Sequence, residues 1–207
     1  MRLRGPAGKP TADYIAEVAA ALFYRDGIHA VGVDRIADTA GLTKRTMYRY
    51  YRSKDELIAA SLRHAPRVPF PECGPPAERI VGAFTMLEEF LTGSQYRGCP
   101  YIIFTAELTD PGHPARRLIE RLLAKRRAWF RDRAVEAGFA EPDRLAEELD
   151  LLFDGAVSSG AKRCDVVAAQ TAKRMAATIV RSASASRSSR PGVPAPPRRA
   201  RSTSRVA

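Results

Sequence analysis

Cationic and aromatic side chains are concentrated in one short stretch near the N-terminus, between Thr43 and Lys54. This stretch contains five lysine or arginine residues and no aspartate or glutamate. Cations of this kind neutralise phosphates, and tyrosine hydroxyls can hydrogen-bond phosphate oxygens or reach base edges. Such side chains on one surface could bind a nucleic acid. The alternative interpretation is a solvated basic helix in an ordinary helical domain.

The surrounding residues predict two short helices that would position these side chains. Apolar residues recur at helical spacing in 33–40, which gives the first helix one buried stripe. Gly41 comes next, where a helix C-terminus needs a positive φ. Thr43 is a suitable N-cap for a second helix over residues 44–51. A helix-turn-helix of this type places its second helix in the major groove of DNA.

Residues 27–62 closely resemble the DNA-binding domain of tetracycline-repressor-like (TetR family) transcriptional regulators. The most specific piece is residues 41–48, Gly-Leu-Thr-Lys-Arg-Thr-Met-Tyr, followed by Tyr51 and residues 53–57. The resemblance is strong over 11–63, architectural over 77–182 and absent afterwards.

The resemblance also implies which side chains meet DNA. Lys54 would hold a phosphate from the start of the fourth helix. The family often has hydroxyl residues at the positions of Val31 and Gly32. Because Gly32 has no side-chain oxygen, a phosphate contact from the cap of the second helix would have to be made by the Gly32 backbone N–H. The implied DNA-binding residues are Gly32, Thr43, Lys44, Arg45, Tyr48, Arg49 and Lys54.

Charge is distributed unevenly along the 207 residues, whose net charge is +11. Residues 1–63 carry a net +4, residues 64–181 a net +1 and residues 182–207 a net +6. A basic chain favours an anionic partner, either a nucleic acid or a membrane surface. No apolar run approaches the roughly 20 residues that would span a bilayer, and residues 1–10 lack the apolar segment of a secretory signal.

Residue types that carry catalysis or bind metals are scattered. The three cysteines are odd in number and lack metal-type spacing, which predicts free thiols in a reduced, cytoplasmic protein. The three histidines stand alone, and the chain has no nucleophile elbow and no phosphate-binding glycine loop. We therefore expect no catalytic residues, no metal and no cofactor. A small helical enzyme is the least favoured alternative.

The pattern predicts an all-α chain with two domains. Three helices and a fourth beginning after Ser53 would form the helix-turn-helix domain, and a ligand-binding and dimerisation domain would contain five more helices. The fourth helix completes a core that is marginal alone and should pack against the second domain. The segments are a flexible basic arm 1–10, a DNA-binding domain 11–63, a proline-rich connector 64–76, a second domain 77–182 and a disordered tail 183–207.

The second domain predicts a homodimer and a cavity. The last two helices, at about 142–160 and 166–181, carry small and apolar residues at helical spacing, and the TetR family dimerises through this pair. Large apolar residues exceed what three helices need for packing, which favours an apolar pocket for a small effector. Tyr101, Glu107 and His113 are possible polar anchors. The predicted ligand-binding residues are Phe84, Leu87, Cys99, Ile103, Phe104 and Trp129.

These observations lead to one function and one main alternative. The leading hypothesis is a homodimeric, ligand-responsive regulator, a repressor, that binds a palindromic DNA operator and is released by a small apolar ligand. The alternative is a DNA-binding activator or architectural protein without a small-molecule switch. A fully packed core between residues 84 and 130 would favour the alternative.

Overall fold

The computed structural model describes residues 11–93, 96–163 and 165–188, and all regular secondary structure in these ranges is helical. The all-α prediction is therefore confirmed. The predicted arm 1–10 and residues 189–207 of the predicted tail lie outside the described residues. The described helices are α1 Thr11–Asp26, α2 Val33–Thr39, α3 Lys44–Tyr48, α4 Lys54–Ser61, α5 Pro76–Leu91, α6 Pro100–Glu107, α7 Pro114–Glu136, α8 Pro142–Arg163 and α9 Val167–Ser188.

Short-range sequence signals define the helix-turn-helix. Gly41 has φ +67°, a left-handed conformation that ends α2 and that side-chain-bearing residues adopt at a cost. The Thr43 hydroxyl accepts the Thr46 N–H at 3.1 Å and caps α3. The Ser53 hydroxyl accepts the Glu56 N–H at 3.1 Å and caps α4. These contacts satisfy helix N–H groups that would otherwise lack partners.

The N-terminal core is shared between the two halves of the chain. Phe23 of α1 is fully buried and meets the ring of Phe104, from α6, edge to face at 6.4 Å between centroids. Leu108 and Ile119 pack into the same cluster as the apolar faces of α1, α2 and α4. The helix-turn-helix thus packs against α6 and α7, which matches the expectation that its small core needs additional support.

The second core lies between α5, α7, α8 and α9, and a residue of the connector completes it. Phe70 lies 4.6 Å from Trp129, 5.6 Å from Phe130 and 5.7 Å from Phe153, measured between ring centroids. The sequence predicted only a proline-rich connector here. The prolines prevent a regular helix, but this non-helical segment still places an aromatic ring in the second domain.

Two predicted boundaries are wrong. The sequence predicted that the second helix of the motif extends to residue 51, but α3 ends at Tyr48. The chain turns there and buries Tyr51, whose hydroxyl donates to the Ala12 carbonyl at 2.8 Å. Helix α9 continues to Ser188, so residues 183–188 are helical and the disorder predicted from residue 183 is incorrect there. Ala183 extends the apolar stripe of α9 and packs against the second core, which favours continued helix.

Candidate nucleic-acid interface

The outer face of α3 presents free cations beside an aromatic ring. Arg45 and Arg49 are exposed, and neither forms an ion pair with a described residue. Tyr48 is 42% exposed although it is a large side chain. Met47, on the opposite face, is only 1% exposed and anchors α3 to the core. Buried Met47 therefore fixes the helix so that its cationic and aromatic residues point outward.

Lys44 lies on the same surface but has a partner. Its ammonium group is 3.0 Å from the carboxylate of Asp34 on α2. The hydrogen bond to Asp34, together with the attraction between the charges, raises the pKa of Lys44. The lysine therefore stays protonated, and a phosphate would have to compete with Asp34 for it. Thr43 is also occupied, since its hydroxyl accepts the Thr46 N–H and lies 2.9 Å from the Thr46 hydroxyl.

Gly32 and Lys54 occupy the edges of this surface. Gly32 is the N-cap of α2, with φ −79° and ψ 158°, and no side chain caps the helix there. Lys54 differs from the predicted picture, because its ammonium donates to the Ile28 carbonyl at 2.6 Å and lies 6.0 Å from the Phe23 ring centroid. This contact ties α4 to the turn after α1. The predicted phosphate contact of Lys54 remains a prediction, and the structure adds an internal role that the sequence did not suggest.

A carboxylate of the second domain holds the turn between α1 and α2. Glu107, at the end of α6, accepts the N–H of Ile28 at 2.6 Å and that of His29 at 3.1 Å. A ring nitrogen of His29 lies 2.8 Å from the Glu107 carbonyl oxygen. At the start of α6, the Tyr24 hydroxyl donates to the Gly98 carbonyl at 2.9 Å. Both ends of α6 are thus hydrogen-bonded to the helix-turn-helix domain.

An apolar cavity of about 260 Å³ lies in the second domain, between the connector and helices α5 to α8. Cys99 and Trp129, two of the six predicted ligand-binding residues, line it, as does Tyr101, one of the possible anchors. Burial raises the pKa of the Cys99 thiol. The described residues that line it are Pro66, Arg67, Val68, Phe70, Phe90, Cys99, Pro100, Tyr101, Leu122, Lys125, Arg126, Trp129, Phe153 and Val157.

The other four predicted ligand-binding residues have packing roles. Phe84 and Leu87 are fully buried in the second core and do not line the cavity. Phe104 is fully buried in the N-terminal core, and Ile103 packs against that same core. None of the four lines this cavity: Phe104 lies on a face of α6 that packs toward α1, and Phe84 and Leu87 of α5 fill the second core. Their contact with a ligand remains a prediction.

The two remaining candidate anchors lie at the domain junction and outside the lining of the cavity. Glu107 holds the turn after α1. His113 caps α7, since its Nδ1 accepts the Ala115 N–H at 3.1 Å, and its Nε2 lies 3.4 Å from Asp55 on α4. The sequence missed Phe70, Phe153 and Arg126 as cavity residues. Their contribution depends on how the connector and α8 pack, which local spacing does not reveal.

A second apolar surface lies outside the chain's own cores, in the groove between α8 and α9. Leu151 is 74% exposed, and Val167 and Met175 are each 51% exposed. Gly155 faces open space in the same groove. By contrast, Ala169 and Ala176, which belong to the stripe predicted for dimerisation, are fully buried inside the chain.

The described ranges contain neither a metal-binding cluster nor a membrane-spanning helix. Within them, no three histidine, cysteine, aspartate or glutamate side chains are placed to hold a metal ion together. In that same part of the chain, no helix has the length and apolar character needed to cross a bilayer.

Comparison with known proteins gives consistent matches. The sequence profile described as "Bacterial regulatory proteins, tetR family" matches residues 15–61. The sav143 protein of Streptomyces avermitilis, described as a TetR transcriptional regulator, has a known crystal structure. Its sequence is 34% identical to this chain, and the two structures superpose with a TM-score of 0.73. That match covers 85% of this chain and 99% of sav143. SCO4454 of Streptomyces coelicolor, a TetR-family regulator at 24% identity, shares the fold with a TM-score of 0.76, over 84% of this chain and 96% of that one.

A curated relative matches only in part. YdeS of Bacillus subtilis, an uncharacterised helix-turn-helix regulator, is 33% identical over 92 residues, which is 44% of this chain and 46% of the length of YdeS. The match to sav143, by contrast, extends over nearly all of that protein at more than 30% identity. With its helix-turn-helix and its second helical domain, the chain belongs to the TetR family of transcriptional regulators, whose members bind DNA.

Proposed function

We propose that two copies of this chain form a homodimer that binds a palindromic operator, represses transcription and releases DNA when a small molecule fills the cavity. The observation that carries this proposal is the outward face of α3, where Arg45 and Arg49 lack an acidic partner among the described residues. The protein would act in the cytoplasm, where such an operator lies.

The charges on α3 support insertion into a groove. Arginine can donate two hydrogen bonds to a guanine edge in the major groove, which distinguishes bases as well as phosphates. Arg45 and Arg49 are therefore the proposed base-reading residues. Thr43, Lys44, Tyr48, Lys54 and the backbone N–H of Gly32 would position the helix on the phosphate backbone.

The groove between α8 and α9 supports dimerisation. Monomeric proteins rarely leave large apolar side chains together in a groove, and such patches commonly mark interfaces. Leu151, Val167 and Met175 would fill the equivalent groove of a second copy around a two-fold axis. The open side of Gly155 allows the two helix backbones to approach closely.

Helix α6 supports coupling between the cavity and the DNA-binding surface. Its first turn, with Cys99 and Tyr101, lines the cavity, while Glu107 at its last turn holds the backbone of Ile28 and His29. A bound molecule that favours a different position of α6 would shift the population of helix-turn-helix orientations, and DNA affinity would change by the differential binding energy. The presence of a cavity favours this switch over the alternative regulator with a sealed core.

The test is selection of operators from a random pool of duplex DNA with the full chain, followed by titration of the selected duplex. We expect a palindromic sequence and two chains per duplex, with half-sites about one helical turn apart. The variant Arg45→Ala/Arg49→Ala should lose most of this binding, because it removes the cation of Arg45 from α3 and that of Arg49 from the C-cap of α3.

The matched control is Arg117→Ala/Arg121→Ala. It removes the same charge from exposed positions of α7 that form no ion pair with a described residue. It should bind the operator like the parent chain. If both double variants lost the same operator affinity, net charge alone would explain the loss, and α3 would have no specific role in binding. No binding to any duplex at low ionic strength would overturn the proposed function.

A further inference from the structure

We infer that the cavity selects a small aromatic anion, a molecule of one or two rings that carries a single carboxylate or phenolate group. This inference rests on the proposed function, since it names the effector of the same pocket. Three features of the lining support it: aromatic walls, a volume on the scale of one or two rings, and an excess of basic groups.

Five of the fourteen described residues that line the cavity are aromatic. Phe70, Trp129 and Phe153 form a connected ring cluster, with 4.6 Å between the first pair of centroids and 5.7 Å between Phe70 and Phe153. Phe90 and Tyr101 add two further rings to the lining. Ring faces and edges pack favourably against another aromatic ring, in offset or edge-to-face geometry. A flat ring would therefore contact the walls better than a flexible chain of the same volume.

The cavity is partly open to solvent, and its volume indicates the size of the part of a molecule that it would enclose. A cavity of about 150 Å³ accommodates benzene, and this cavity has about 260 Å³. The larger volume leaves room for one substituted ring or for two fused rings. Ligand pockets for larger drug-sized molecules begin at about 300 Å³.

The charged residues of the lining all have one sign. Arg67, Lys125 and Arg126 are basic, and no aspartate or glutamate is among the described residues that line the cavity. Arg126 is paired with Asp150 and Asp154, which offsets its charge. Arg67 donates to a backbone carbonyl, and Lys125 forms no ion pair with a described residue. The uncompensated positive charge at the rim of the cavity therefore comes from Arg67 and Lys125.

A neutral hydrogen-bond donor lies among these cations. Burial raises the pKa of the Tyr101 hydroxyl, and the positive charges of Arg67 and Arg126 act in the opposite direction. The hydroxyl is therefore protonated near neutral pH, and it lies within the electrostatic reach of two guanidinium groups. A carboxylate here would accept a hydrogen bond from Tyr101 and be attracted by Arg67 and Lys125. An amide of the same shape would gain only the hydrogen bond.

The experiment compares 4-tert-butylbenzoate with its neutral isostere 4-tert-butylbenzamide on the full chain. The only tryptophan of the sequence, Trp129, lines the cavity, so its fluorescence reports occupancy of this site. Calorimetry gives an independent Kd. We expect the benzoate to bind about tenfold more tightly than the benzamide. A hydrogen bond to a charged group is stronger than one to a neutral group, and the difference corresponds to roughly a tenfold change in Kd.

Three variants locate the charge effect. Arg67→Met and Lys125→Met keep the aromatic walls and should each reduce the preference for the benzoate about threefold. Arg121→Met removes an equivalent cation one turn earlier on α7, outside the lining, and should leave the preference unchanged. Equal affinity for the two probes, or a preference that survives in Arg67→Met/Lys125→Met, would overturn the inference.

Operator binding of the same samples separates this inference from the proposed function. Preferential benzoate binding with release of DNA supports both. Preferential benzoate binding with unchanged operator affinity supports the ligand class and contradicts the switch. Absence of binding by both probes, in protein that still binds its operator, overturns the ligand class and leaves DNA recognition intact.

Discussion

At the scale of single residues, Lys54 has two competing partners. In the free chain its ammonium donates to the Ile28 carbonyl at 2.6 Å. On DNA the same group is proposed to hold a phosphate. We predict that Lys54→Ala weakens binding to all duplexes about equally and lowers the slope of log affinity against log salt by roughly one unit. Titrations of operator and unrelated DNA across a salt series measure both effects.

The contradicting result is an unchanged salt slope together with a lower melting temperature. Lys54 would then act only by tying α4 to the turn after α1. Unfolding of the variant must therefore be followed beside its DNA titrations, because the Ile28 carbonyl also loses a partner.

Two exposed glycines of the helix-turn-helix have different backbone requirements. At both Gly32 and Gly41 an added Cβ meets no atom within 4 Å. Gly32 has φ −79° and needs no glycine, whereas Gly41 has φ +67°. We predict that Gly32→Ser raises the free energy of unfolding by a few tenths of a kcal/mol, because a hydroxyl caps α2.

The same substitution at Gly41 is the matched control. Gly41→Ser should lower the free energy of unfolding by roughly 1–2 kcal/mol, because the left-handed conformation is strained for a side-chain-bearing residue. Urea denaturation of both variants measures the pair. If both substitutions changed the free energy of unfolding in the same direction, glycine would not be required at position 41 for its positive φ and merely tolerated as a cap at position 32.

Single residues on α3 could be predicted from the sequence only in part. The exposure of Arg45, Tyr48 and Arg49 results from a basic helix whose one long apolar residue, Met47, turns inward. The pairing of Lys44 with Asp34 depends on how α2 and α3 cross, and ten residues separate the two in the chain. Local periodicity contains no information on that crossing.

At the scale of elements, α6 connects the cavity with the helix-turn-helix. We predict that Glu107→Gln destabilises the chain by about 1–3 kcal/mol, because one carboxylate oxygen accepts both N–H groups and a neutral amide oxygen would accept them more weakly. It should also reduce the effect of a bound benzoate on operator affinity. Denaturation, and operator titration with and without 4-tert-butylbenzoate, measure these two results.

Glu120→Gln is the control for this substitution. Glu120 is exposed on α7, and its carboxylate forms no ion pair with a described residue. The same change of charge there should leave stability and coupling as in the parent chain. If Glu107→Gln loses stability but keeps the full benzoate effect, then coupling passes through other contacts, such as that between Tyr24 and Gly98.

Helix positions could be predicted closely from sequence signals, and helix partners could not. Caps at Thr43 and Ser53 and prolines at helix starts fix where elements begin. The direction of α6 could not be predicted, because its residues are apolar on nearly all sides, and so Phe104 was assigned to the pocket. The continuation of α9 beyond residue 182 was missed because composition, rather than the apolar stripe ending in Ala183, decided the boundary.

At the scale of the whole molecule, the two halves of the chain differ in net charge and in how their apolar residues pack. The sequence carries a net charge of +4 over residues 1–63, while residues 64–181 are nearly neutral at +1. A neutral second domain can bring two copies together without strong repulsion. The sequence predicted this distribution and suggested α8 and α9 as the helices of the proposed dimer interface. It could not separate the residues that fill the chain's own core, such as Ala176, from those that face outward.

Met175 tests the link between dimerisation and operator binding. It is 51% exposed in the groove between α8 and α9, and Met175→Arg would place a charge at the proposed interface. We predict mainly monomers by analytical ultracentrifugation. Operator affinity should fall by a factor on the order of 10²–10⁴, because the second half-site is no longer bound by a linked partner. Affinity for an isolated half-site should stay nearly unchanged.

Val135→Arg provides the matched control for Met175→Arg. Val135 is also 51% exposed, but it lies on α7 and outside the groove. An arginine there adds the same charge without entering the proposed interface, so the variant should remain a dimer with the operator affinity of the parent chain. Dimers that persist in Met175→Arg would move the interface elsewhere. A monomeric parent chain with full operator affinity would remove dimerisation from the mechanism, because one α3 would then supply all of the specificity.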